Sequence, residues 1–444
     1  MKLGRNFVIY LGSSIAAGAL PLALMPFLTH SLAPSEYGVM VTITTVVALI
    51  GPILNWATTS YVGVQYFKVS PDEFSEMFSS VLLLPAINVT LLTMLFLLAN
   101  VLLSHWLDIP RRWVIAIPLM ALLLFLPQMA QTILAMRDRA LGFAAIELSG
   151  ALINFVGTIV LVLMLGMSWE GRIIAAAVSS SVLSVVAVMW FRRRGFIVWR
   201  FRAEEFRGAF RFGGGGVAHD LASNALRLGD RLLIVTLIGQ AAVGTYAVAV
   251  QWTTIMLTVL TAFNRAWVPF LFSRLSSAAP GSQENVVRST YFVWAGLFGF
   301  FILFNLVTPI GYRLLVDSRY HSSMNAVFWL SLGFLFNGIY MTVVDYLFYL
   351  KKTHILAMIT VFNLVMNIAI AYLLIGIRGA NGAAMAFAMT AFIVMCLTFA
   401  ISYRLHPMPW LRSIICRPER TESGMAENPI SHHAPLTSEK HHDR

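Results

Sequence analysis

Charge is what this chain has least of. Only 11% of its 444 residues are Asp, Glu, Lys or Arg, against ~25% in ordinary soluble domains. That depletion runs through most of the chain and excludes a conventional soluble enzyme or nucleic-acid-binding domain. Cysteine is nearly missing too: Cys396 and Cys416 are the only two, so neither a disulfide framework nor a thiolate metal site is expected. No Ser/His/Asp set and no metal-ligand spacing stands anywhere in the sequence, so the chain is expected to be no enzyme and to need no cofactor. The one His-rich tract, His432, His433, His441 and His442, lies in a polar tail without cysteine, and no metal is assigned to it.

What is abundant is apolar sequence, 58% of the chain. Twelve windows are long enough for a ~30 Å hydrocarbon layer, at about 6–28, 39–63, 78–103, 114–134, 144–166, 173–191, 212–238, 243–272, 290–314, 325–350, 355–377 and 382–403. They are continuously apolar rather than alternating, which favours helices over barrel strands. An all-α polytopic membrane protein of twelve transmembrane helices is the expected fold class. The first window lacks a small-residue cleavage site and reads as an uncleaved first helix. With the N-terminus inside, the cytoplasmic segments hold 22 Lys and Arg and the outside loops hold six: Arg111, Arg112, Arg172, Arg313, Arg319 and Arg378. That asymmetry places both termini in the cytoplasm, so the net charge of +11 is mostly topological. The outer loops are short, and their acids are Glu36, Asp108, Glu170 and Asp317.

The longest internal hydrophilic segment, from Arg192 to Arg211, divides the chain. Residues 1–191 form an N-terminal six-helix bundle, 192–211 a basic connector, 212–403 a second six-helix bundle and 404–444 a disordered cytoplasmic tail. The connector alternates arginine with Phe, Ile and Trp, which fits a segment lying on an anionic leaflet or a solvated linker. Its neighbour Gly213 to Gly216 lacks the strand and the Lys-Ser/Thr of a phosphate loop and reads as a flexible helix start. The halves also echo each other: Pro34 to Gly38 after the first helix and Gln240 to Gly244 after the seventh stand at a constant offset of 206. Six helices per half preserve orientation, so the repeats would be related by an axis along the membrane normal, with a site between them.

The window from Phe212 is the odd one. It carries His219, Asp220, Arg227, Asp230 and Arg231, which helical spacing gathers on one stripe with Ser223 and Asn224. A charge in the bilayer centre costs on the order of 3 kcal/mol, so the stripe needs partners or a filled cavity. Helix eight adds Gln251, Thr254, Thr258, Thr261, Asn264 and Arg265. Matched depth pairs Asp220 with Arg265, and an i, i+3 spacing pairs Arg227 with Asp230, leaving Arg231 without an acid. The bland account is a set of structural pairs; the functional one is a cationic pathway, in which guanidinium forks suit a diphosphate. Glu147 is expected to snorkel toward Arg137 or Arg139, and Asp345 toward Lys351 and Lys352.

The opening Asn6-x-x-x-Tyr10-x-Gly12-Ser13 with Leu28-Thr29-x-x-Leu32-x-Pro34-x-Glu36-Tyr37-Gly38, then Gly229-Asp230-Arg231-Leu232-Leu233-Ile234 and Ala262-Phe263-Asn264-x-Ala266-Trp267-x-Pro269, resemble bacterial polysaccharide flippases of the multidrug/oligosaccharidyl-lipid/polysaccharide exporter superfamily. The resemblance runs from residue 1 to about 403. It implies a MATE-like pair of six-helix bundles in the inner membrane that alternates access. The cargo would be an undecaprenyl-diphosphate-linked oligosaccharide for O-antigen, capsule or exopolysaccharide synthesis. Its partners would be that lipid, membrane lipids and other polysaccharide-assembly proteins, with no nucleic acid. It implies substrate binding at Arg227, Arg231, Arg265, His219 and Asn264, with Asp220 and Asp230 as supporting ion pairs. Helices one to six have no deeply placed Arg or Lys by this reading, which disfavours a wall-precursor cargo. A cation-coupled multidrug exporter of the same superfamily and a polysaccharide polymerase are the alternatives.

Overall fold

The structure, a computed structural model, describes residues 2–276 and 281–410; the expected disordered tail lies, from residue 411 onward, outside the described residues. Among those described, all regular structure is helical. The N-terminal half contains α1 (Lys2–Ser31), α2 (Pro34–Asn55), α3 (Thr58–Gln65), α4 (Pro71–Val81), α5 (Leu83–Leu98), α6 (Asn100–Leu107), α7 (Arg111–Met136), α8 (Ala140–Thr158) and α9 (Ser168–Arg193). The C-terminal half contains α10 (Ala203–Leu237), α11 (Gln240–Leu275), α12 (Ser282–Leu315), α13 (Met324–Tyr349), α14 (Thr353–Arg378) and α15 (Ala380–Leu405).

Eleven spans among the described residues are long and apolar enough to cross a membrane; α10, the twelfth expected from the sequence, is not one of them. Its 35 residues measure about 52 Å, and it is the charged stripe that sets it apart from the others. The chain is a multi-pass membrane protein. Several crossings are assembled from pieces. The second bends where Trp56 and Ala57 take left-handed backbone angles between α2 and α3. Asn88 of α5 then donates its amide to the end carbonyls of Ile53 (2.9 Å) and Leu54 (3.3 Å), groups that a helix terminus in lipid cannot leave bare.

The internal repeat is visible as a contact. α2 starts at Pro34 and α11 at Gln240, the same offset of 206, and the two helices cross at Gly38 and Gly244. A Cβ on Gly38 would lie 1.9 Å from the Gln240 carbonyl oxygen, and one on Gly244 would lie 1.9 Å from the Pro34 carbonyl oxygen. Each glycine meets the repeat mate of the other's partner, as a pseudo-twofold axis along the bundle requires. Only residues without a Cβ allow backbones this close.

This crossing belongs to a wider closure on the side of the bundle opposite the start of α1 and the end of α15. Buried Gln240 donates to the carbonyls of Leu107 (2.6 Å) and Asp108 (3.1 Å) and accepts from Thr42 (2.8 Å). Arg319, on the turn between α12 and α13, donates to the carbonyls of Thr29 (3.1 Å) and His30 (2.9 Å) at the end of α1. Tyr320 donates to the Leu32 carbonyl at 2.9 Å. The Asp317 carboxylate accepts from the Arg319 side chain and backbone, which holds its pKa below the ordinary value.

Two expectations about irregular segments change. The helix placed from Phe212 begins at Ala203, so Gly213 to Gly216 lie inside α10 rather than at a flexible start. A Cβ on Gly213 would meet the Trp56 ring at 2.1 Å, and Trp56 stacks on Phe210 and donates to its carbonyl at 2.9 Å; close packing against the bend after α2 is what this glycine serves. Within the connector, Arg200 reaches Glu76 at 3.1 Å, Ser79 bonds to Phe196 and Val198, and Trp199 is left fully exposed. Past α15, Trp410 is buried, stacked on Trp294 at 5.6 Å.

Candidate functional site

α10 runs along α2 and turns its polar stripe toward the space between the halves. A cavity of about 330 Å³ lies there, lined by Asp220, Ser223, Asn224 and Arg227 of α10, Asn55 of α2 and Gln128 of α7. Asn224 is the pivot. Its amide nitrogen donates to the Ala48 carbonyl at 3.0 Å, tying α10 to α2, and its oxygen accepts from Arg227 at 2.7 Å. That bond orients the exposed Arg227 guanidinium without neutralising it.

The pairing inside the stripe differs from the expected one. Asp230 pairs with Arg231 at 3.4 Å rather than with Arg227. Its second oxygen accepts from Tyr246 of α11 at 2.5 Å, which draws the carboxylate toward α11 and away from Arg227. Arg231 also donates to the Arg227 backbone carbonyl at 3.1 Å, and its side chain is only 12% exposed. Among the described residues, Arg227 is therefore the arginine of α10's stripe without an acid, and Arg231 is the paired one. This reverses the assignment drawn from spacing, because the deciding donor comes from a different helix.

The Asp220–Arg265 pair is not formed: no ion pair joins them among the described residues. Asp220 faces the cavity against α2 and α7, while Arg265 is exposed on α11 without an ionic partner among the described residues. Matched depth fixed their height but not their direction around each helix. Arg265 continues an exposed row of Thr254, Thr258 and Thr261, a polar face suited to a wet cleft rather than lipid. Asn264 is half-buried with its side-chain oxygen unpartnered, and His219 is exposed. Glu147 does not reach Arg137 or Arg139; it accepts from Ser13 (2.6 Å) and Ser14 (3.0 Å) of α1. Asp345 is buried, with one oxygen unpartnered, and does not pair with Lys351 or Lys352.

One residue escaped the sequence reading. Arg172 counts as an outer-loop cation by window length, yet it lies on α9 and lines a second cavity of about 510 Å³ inside the N-terminal half. Its guanidinium donates to Asn154 of α8 at 2.5 Å and makes no ion pair among the described residues. The N-terminal half thus has an arginine on a cavity, about 6 Å from the start of α9. The two cavities share Leu124 and Gln128 of α7.

This architecture has solved counterparts. The chain is similar to an inward-facing multidrug resistance MATE family transporter of the MOP superfamily, at 14% identity and a TM-score of 0.69 over 90% of this chain and 94% of that one. It is similar to the lipid II flippase MurJ in an inward closed conformation, at 14% identity and a TM-score of 0.72 over 92% and 91%. A point mutant of the MATE transporter VcmN of Vibrio cholerae matches at 14% identity and a TM-score of 0.55 over 91% and 97%. No curated protein matches the chain by sequence. The family of polysaccharide biosynthesis proteins does match, over residues 27–325, and with two thirds of its length inside that match and the fold of these transporters around it, the chain belongs to that family.

Proposed function

We propose that this protein is a flippase that moves an undecaprenyl-diphosphate-linked oligosaccharide from the cytoplasmic to the periplasmic leaflet of the bacterial inner membrane by alternating access. Arg227 carries the reading. It is a guanidinium at membrane depth, aimed by Asn224, with no carboxylate partner among the described residues, on a cavity between the two halves. A diphosphate drawn below the headgroups loses hydration, and charge-assisted hydrogen bonds from an unpaired arginine replace it. On this reading Arg265 adds charge on the α11 stripe, with Asn264 and His219 as further polar groups, while Arg231 with Asp230 shapes the wall. Closure at Gly38, Gln240 and Arg319, with Thr254, Thr258, Thr261 and Arg265 exposed further along α11, supports a cytoplasm-facing state. Family membership in polysaccharide biosynthesis supports a sugar cargo, and O-antigen, capsule and exopolysaccharide units all fit.

The test is leaflet-resolved flipping in vesicles loaded with a defined undecaprenyl-diphosphate oligosaccharide. Wild-type protein should move it. Arg227→Ala, made at normal level, should slow movement more than tenfold, and Arg227→Lys should restore part, since the charge stays and the fork is lost. Equal rates for wild type and Arg227→Ala would remove the site; no movement by wild type would remove the function.

A further inference from the structure

The cavity within the N-terminal half has a chemistry of its own. α8 presents Glu147, Ala151 and Asn154 on one face, and α7 presents Gln128 and Gln131 across from it. At one end Arg172 is held by a single side-chain bond, to Asn154. Glu147 is held by Ser13 and Ser14 of α1; it lies seven residues from Asn154, about 10 Å along the helix axis. The Gln128 and Gln131 amides make no hydrogen bond among the described residues, so both keep donors and an acceptor for a guest. At about 510 Å³ the space falls in the ~300–1,000 Å³ range of ligand sites. Gln128 also lines the Arg227 cavity.

Arg172 is partly buried near the start of α9 and has no acid partner among the described residues; a cation drawn out of bulk water without a partner is costly, and a ligand can complete it. Four of the five donors of Arg172 remain after its bond to Asn154. Neighbouring free amides suit hydroxyl groups, and a guanidinium suits a carboxylate held by two parallel bonds. A lipid diphosphate has its receptor at Arg227, so this pocket, one helix further into the bundle, lies where the sugars of the same molecule would extend.

On the flippase reading, we infer that the cavity bounded by Arg172, Asn154, Gln131 and Gln128 is a saccharide subsite selective for an acidic sugar, a uronate or another carboxylate-bearing residue. The carboxylate sits on Arg172, the hydroxyls on the amides, and Glu147 repels acid from the opposite end. The sequence signal is weak because Arg172 stands only four residues into α9. Its burial comes from α8, which supplies Asn154.

The experiment uses full-length protein in lipid nanodiscs and a fluorescent tetrasaccharide containing one glucuronate, compared with the same tetrasaccharide after reduction of its carboxyl to an alcohol. Anisotropy should give at least tenfold tighter binding of the acidic form. Arg172→Gln should erase that preference. Asn154→Asp, nearly isosteric, places a carboxylate against Arg172 and should erase it as well, which guards against misfolding of the first variant; Arg172→Lys should keep part of it. Equal affinity of wild type for both forms, or a preference that survives Arg172→Gln and Asn154→Asp, overturns the subsite. Vesicle flipping of the carboxyl-reduced lipid-linked oligosaccharide separates the two readings. Its movement by wild type upholds the flippase whatever happens at Arg172. Failure to move either lipid-linked form, with selective binding of the free tetrasaccharide, upholds the subsite and ends the flippase reading.

Discussion

Arg227 and Arg231 are four residues apart and chemically alike, yet their surroundings give them different work. Arg231 is partly buried with Asp230, whose other oxygen is held by Tyr246. Removing one partner of such a pair strands a charge and costs roughly 3–5 kcal/mol. Thermal unfolding in detergent should therefore show Arg231→Ala and Asp230→Ala each strongly destabilised, with the double variant less so than their sum. Tyr246→Phe should lose ~1–3 kcal/mol. Additive losses would mean the residues act independently. At Asp317 the expected signature is one of pH. Hydrogen bonds from Arg319 depress its pKa, so its contribution is full above the unfolded carboxylate value of ~3.9 and is lost as pH falls through the lower folded value. Spin-label distances between Thr29 and Ser318 positions should hold steady from neutral to mildly acidic pH and widen only in strong acid; widening already near pH 6 would assign the effect to another group. Spacing alone found the polar stripe, because 3.6 residues per turn gather Asp220, Asn224, Arg227 and Asp230. It did not find the partners, since Tyr246 and Ala48 come from other helices, nor Arg172, whose burial depends on Asn154.

At the scale of elements, α2 and α11 carry the junction. Their starts share the offset of 206 that the sequence displays, and the reciprocal Gly38–Gln240 and Gly244–Pro34 contacts turn that repeat into a crossing. A single methyl at either glycine would stand 1.9 Å from a carbonyl oxygen, so the helices must part. Gly38→Ala and Gly244→Ala should each open the side carrying Gln240, raising thiol labelling of a cysteine at Thr42, fully buried against Gln240, at least tenfold and lowering transport to a similar degree. Gly214→Ala, with nothing within 4 Å of the added carbon, is the matched control and should leave both unchanged. Labelling unaltered in Gly38→Ala would show that the crossing relaxes without opening. The repeat was legible because turn residues keep their register. The start of α10 was not: Ala203 to Arg211 is too polar to resemble a crossing, and its helix extends toward Trp56 and Tyr61, contacts made by distant chain.

For the molecule as a whole, closure on one side and exposed polar stripes along α10 and α11 imply a cycle whose steps can be blocked. Reporter fusions after Glu36, Trp113, Glu170 and Arg319 should report the periplasm, and those after Lys68, Arg202 and Lys352 the cytoplasm; one inverted fusion breaks the assignment of sides. The closure itself is held where Arg319 donates to the Thr29 and His30 carbonyls and Tyr320 to that of Leu32, so the turn between α12 and α13 is bonded to the end of α1 across the two halves. If this side must open to release cargo, tethering it must stop transport. In a background of Cys396→Ser and Cys416→Ser, His30→Cys with Ser318→Cys, bridged by a short bis-methanethiosulfonate, should reduce flipping more than tenfold. Reductant cleaves the bridge and should restore the rate. Each single-cysteine variant treated in the same way should transport normally, which separates tethering from mere modification. The tethered protein should still bind lipid-linked substrate through Arg227, since the cavity that Arg227 lines contains neither His30 nor Ser318. Undiminished flipping by the bridged protein would mean that this contact does not open in the cycle, and the alternating-access assignment of the closure would fall.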